Sequence, residues 1–98
     1  MSAVADSFEA MQYIEPDPMD AINGLQTEEA CLGTFAREDE AVAVARAAWK
    51  AFQASGRDNV AWWLVRVPGE SLARWIADSG SRTERVVDLR SGKLIDVP

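Results

Sequence analysis

The chain contains no histidine and a single cysteine, Cys31. Without histidine there is no Ser-His-Asp or Cys-His nucleophile system, no imidazole acid–base pair and no histidine metal site. One cysteine excludes zinc ribbons, iron–sulfur clusters and an internal disulfide, so the fold does not depend on oxidation and a cytoplasmic setting is expected. No apolar run approaches the roughly 18 residues that span a bilayer. The Met-Ser-Ala-Val-Ala-Asp start carries no basic stretch, which argues against a secretory signal. Walker, dinucleotide-binding and nucleophile-elbow glycine motifs are missing as well.

What is left for chemistry is carboxylates, two lysines and one thiol. Glu15, Asp17 and Asp20 are close in sequence, but Pro16, Pro18 and Met19 break the oxygen spacing of a calcium loop. Lys50 and Lys93 stand in solvent-type positions, and no base flanks Cys31, which reads as a buried small hydrophobe. The expectation is a protein that is not an enzyme and needs no metal or cofactor.

The 98 residues suffice for one domain, and 48% hydrophobic and 27% charged residues are a globular mixture. Charge is distributed unevenly. Residues 1–40 hold ten acids and one base, whereas residues 41–98 hold nine bases and six acids. An acidic half of this kind either solubilises an irregular arm or docks on a basic partner.

Residues 1–28 read as that arm, with short helical turns and an apolar cluster of Phe8, Met11, Tyr13 and Ile14. Asp17-Pro18-Met19-Asp20 has the form of a helix start, closed by Gly24. A compact unit is expected over 29–98. Cys31–Ala36 is a short strand candidate. Glu38, Asp39 and Glu40 suit the first turn of a helix running to about residue 55. That helix would bury Ala41, Ala45, Ala48, Trp49 and Phe52, with Val42 and Val44 at the margins. Val60–Val67 alternates Ala61, Trp63, Val65 and Val67 against Trp62, Leu64 and Arg66, as a central strand does. Ser71–Asp78 fits a helix or a strand, and the strand is preferred because apolar runs then recur at meander spacing. Ser91-Gly92 predicts a two-residue hairpin between 84–90 and 93–97. The expected fold is α+β: one helix on a three- to four-stranded antiparallel meander, preceded by a short strand and the irregular acidic arm.

Two surfaces could carry function. The first is the acidic set Glu15, Asp17, Asp20, Glu28, Glu29, Glu38, Asp39 and Glu40, which would engage a basic surface of a protein partner. Small acidic domains without catalytic parts serve as inhibitors or decoys, among them immunity proteins, antitoxins and anti-CRISPR-like antagonists; that comparison rests on size and charge alone. The second is a sheet face with Trp62, Leu64, Arg66, Arg74 and Trp75. If exposed, it could stack on nucleic-acid bases or join copies of the chain. Net charge of −6 and the absence of an RNA-recognition motif weigh against direct nucleic-acid binding, and a homo-oligomeric module is the third reading.

Overall fold

The computed structural model describes residues 7–97. Six antiparallel strands form one sheet in the order β2-β1-β3-β4-β5-β6. The strands are β1 (Phe8–Ile14), β2 (Glu28–Phe35), β3 (Ala61–Arg66), β4 (Trp75–Asp78), β5 (Arg85–Val87) and β6 (Leu94–Asp96). A five-residue helix, α1 (Pro18–Ile22), interrupts the β1–β2 connection, and the long helix α2 (Glu38–Ala54) lies on one face of the sheet. Among the described residues no helix is long and apolar enough to cross a membrane.

The α+β expectation holds, and α2 starts and ends where its acidic first turn and Gly56 place it. Ala41, Ala45, Trp49 and Phe52 are buried, while Ala48, Val42 and Val44 pack at the edge of the core. The alanines let the helix axis come close to the sheet, and the aromatics fill the space at its C-terminal end. Across from them sit Ala61, Trp63 and Val65 of β3, all fully buried, and Trp75 and Ala77 of β4. Phe52 meets Trp63 edge-on with ring centroids 5.2 Å apart, and Trp49 meets Trp75 likewise at 6.3 Å. Each buried indole finds an acceptor. Trp49 donates to the Asp78 carbonyl (2.8 Å), Trp63 to Gln12 (2.8 Å) and Trp75 to Glu84 (2.7 Å).

Three expectations need correction. First, from Phe8 onward the arm is not irregular: β1 is inserted between β2 and β3 and pairs with both. The apolar cluster expected there is split, because strand side chains alternate. Register places Ala10, Gln12 and Ile14 beside Val65, Trp63 and Ala61 on the helix side, with Phe8 in line with them; Met11 and Tyr13 fall beside Leu64 and Trp62 on the other side. Residues 1–6 of the expected arm lie outside the described residues. Second, β3 to β6 form the expected four-stranded meander and β2 the expected preceding strand, but β1 pairs between β2 and β3, so that the sheet has six strands. A bulge after Ala10 leaves Leu32 unopposed, and the Phe35 ring covers Gly33 so closely that a Cβ there would lie 2.7 Å from the ring.

Third, the last hairpin does not turn on two residues. Asp88 and Lys93 close a longer loop through a 2.8 Å backbone hydrogen bond. The Asp88 carboxylate accepts from the Arg90 N–H and the Ser91 hydroxyl, both at 3.0 Å, and Gly92 supplies the positive φ of 74° that the return requires. Side-chain capture of the loop backbone by Asp88 outcompetes the tighter turn.

Candidate functional site

The structure divides the eight acidic candidates between opposite ends of the sheet. β1 runs from the α2 start at Phe8 to the α1 end at Ile14, a length of roughly 20 Å. Glu38, Asp39 and Glu40 lie at the first end and serve the fold. Glu38 pairs with Arg74 (3.2 Å). Asp39 takes a two-point contact from Arg37 (3.0 and 2.8 Å), and that hydrogen bonding holds its carboxyl below the usual range. The Glu40 N–H donates to the same Asp39 carboxylate at 3.0 Å.

The other five gather at the α1 end. Glu15, Asp17, Asp20 and Glu28 line one cleft of about 330 Å³ together with Ile14, Leu25 and Arg57. Glu29 stands on β2 opposite Tyr13. Burial, and then the neighbouring Glu29, push the Tyr13 phenol above its ordinary pKa. None of these five carboxylates makes an ion pair among the described residues. Asp17 precedes α1 without capping it; its carboxylate instead accepts from the Asn59 amide at 2.8 Å, tying the β1–β2 connection to the approach of β3.

Helix α1 forms where Asp17-Pro18 and Gly24 place it, but sequence reasoning missed that it stands clear of the core. It buries none of its residues, and it presents Met19 (69% exposed) and Ile22 (78%), with Leu25 (60%) just beyond its end. Three large apolar side chains in solvent, interleaved with Asp17 and Asp20, form a ridge that contributes nothing to the core. A signal for it was present: Pro18 and Gly24 leave room for barely one helical turn, too short to bury a face.

The sheet-face candidates are also separated. Trp62, Leu64 and Arg66 project from the face that α2 leaves uncovered. Trp75 lies under the helix instead, 1% exposed, because it alternates with Ile76 in register with Val65. Arg74 turns toward the start of α2, where Glu38 and both oxygens of Glu70 hold it (3.2, 2.9 and 2.9 Å). On the uncovered face Trp62 stacks on Tyr13, centroids 5.3 Å apart and planes 12° from parallel. Arg66 reaches Glu9 at 2.9 Å and the Tyr13 hydroxyl at 3.3 Å, bridging the two residues that flank Met11 on β1. Met11 is consequently only 3% exposed although no helix covers it. The two arginines of this candidate face are thus each engaged by carboxylates of the same chain.

Cys31, expected as a buried small hydrophobe, is instead exposed on the edge strand β2, because its register opposite Met11 turns it to the face away from α2. Among the described residues no group of three or more acidic or cysteine side chains is disposed to hold a metal ion. The α1 end joins carboxylates without an ion pair among the described residues to exposed apolar side chains and a cleft. No protein-family model matches the chain, and neither a curated protein nor a solved structure matches it.

Proposed function

We propose that this chain is a protein-binding domain that docks its α1 end on a basic surface of another protein, in the manner of an inhibitor or decoy. One observation carries the reading: Met19, Ile22 and Leu25 stand exposed between carboxylates that form no ion pair among the described residues. Apolar side chains provide an anchor when water is removed from them, at roughly 25 cal/mol per Å². The surrounding carboxylates select a positively charged partner and accelerate the encounter. The rest of the acidic set, Glu38, Asp39 and Glu40, is assigned to stabilising α2 and not to the contact.

The test is capture by the immobilised chain, compared across variants. A partner of this kind is retained by the wild type at low salt and released as salt rises. It is lost both from Asp20→Lys/Glu28→Lys and from Met19→Ala/Ile22→Ala/Leu25→Ala, all at exposed positions. Recovery of the same proteins by all three forms would refute the reading.

A further inference from the structure

The sheet has a second surface without a cover. Helix α2 lies against β1 to β4 and does not reach β5 or β6. Every residue of β6 is exposed, with Leu94 at 41% and Ile95 at 49%. At the base of this β5–β6 wing, Leu72, Val87 and Leu89 border a groove of about 370 Å³. The only carboxylate lining that groove, Glu70, is neutralised by Arg74. Arg85, Arg90 and Lys93 of the wing form no ion pair among the described residues. Of the wing's acids, Asp88 is turned into its own loop, which leaves Asp96. The wing is therefore apolar with an excess of unpaired positive charge.

The α1 end is its complement. Between residues 15 and 29 there are five acids and no base, and the exposed side chains Met19 and Ile22 project from that segment. The strand order places β2, into which α1 leads, and β6 at opposite edges, about 24 Å apart across the sheet. One molecule cannot bring the two surfaces together.

We infer that the wing groove receives the α1 end of a second copy of this chain, with Met19 and Ile22 in the groove and Asp20 and Glu28 facing Arg90 and Lys93. The inference rests on the reading of the α1 end as a docking surface and adds the chain's own wing as a basic site that it fits. Because the two patches differ, the contact is head-to-tail: each added copy leaves one α1 end and one wing free, so association continues past the dimer, to a ring where the rotation closes and to an open chain where it does not. Assembly would hold the α1 end occupied until a better basic partner competes for it.

The experiment is light scattering of the full chain over a concentration series at low salt, repeated with charge-reversed variants. For the wild type, the average mass climbs from the 10.7 kDa monomer past the dimer value, and falls back when salt is raised. Asp20→Lys/Glu28→Lys and Arg90→Glu/Lys93→Glu each remain monomeric alone. Mixing the two restores association, because each variant's altered end then faces an opposite charge. A wild type that is monomeric throughout, a closed dimer, or association that survives in Arg90→Glu/Lys93→Glu overturns the inference. Failure here is separable from failure of the proposed function, since Arg90→Glu/Lys93→Glu leaves the α1 end intact for capture of another basic protein.

Discussion

The four strands under α2 and the two strands of the wing belong to one hydrogen-bonded sheet, yet they are stabilised in different ways. β1, β3 and β4 place Ala10, Trp63, Val65, Trp75 and Ala77 against the helix with 1% exposure or less. The wing joins β4 through two register pairs, Trp75↔Val86 and Ile76↔Arg85, and β6 buries nothing. A two-stranded hairpin has little stability of its own in water. The wing is thus held by its neighbour's edge, by Val86 at the margin of the core and by the Glu84 carboxylate, which accepts from Arg46 and Trp75. Backbone pairing alone extends a sheet; a second layer makes part of it a core and leaves the rest as surface.

The comparison is most readily broken from the core side. Trp63→Ala removes a fully buried indole and orphans Gln12, and is expected to cost about 3–5 kcal/mol, read as a large fall in the denaturant midpoint. A loss comparable to that of a surface substitution would show that the helix-covered half is not the stabilising half.

Glu84 tests the joint between the halves. One of its oxygens accepts from Arg46 and Trp75, linking α2, β4 and the start of β5. Burial pushes its pKa up, but the Arg46 and Trp75 hydrogen bonds outweigh it, so the carboxyl lies below its ordinary 4.5. The folded state therefore binds this proton more weakly than the unfolded chain. The stabilisation is complete above the unfolded pKa and is lost as pH falls through it toward the folded value. Glu84→Gln is expected to cost about 1–3 kcal/mol near neutral pH and to flatten the decline of stability below about pH 4.5. A variant whose pH profile overlays the wild type would remove Glu84 from this role.

The smallest effect belongs to the wing. Ile95→Thr, at a half-exposed position, should alter unfolding stability by no more than about 0.5 kcal/mol. Amide hydrogens of β6 should exchange well before those of β1 and β3. Equal protection across all six strands would erase the distinction.

Helix α2 was legible because its acidic start, its alanine–aromatic stripe and its closing glycine are all local signals. β3 was legible because five of its eight candidate residues are β-branched or aromatic, with a clear period of two. β1 was not. Its inward set includes Gln12, a polar residue that is acceptable there only because the Trp63 indole, 51 residues away, donates to it. Trp75 was ambiguous for a related reason: Leu72, Trp75 and Ile76 fit a helical stripe as well as a strand, and the pairing with Val65 selects the strand. Of the candidate contact residues, the acids near α1 were found by charge, whereas the apolar ridge among them was not, since exposure is not a property of composition.

The sequence by itself determined that this is an α+β chain without imidazole chemistry, with its negative charge concentrated before residue 41 and one amphipathic helix after it. These follow from residue types and short-range periodicity. Tertiary structure alone decided that the acidic residues separate into a helix-supporting group and an unpaired group at α1, that Arg66 and Arg74 are held by the chain's own carboxylates, and that Trp62 and Trp75 face opposite ways. The physical reason is the same in each case: a charge or an aromatic ring is available or occupied according to what long-range strand pairing places within a few ångströms of it.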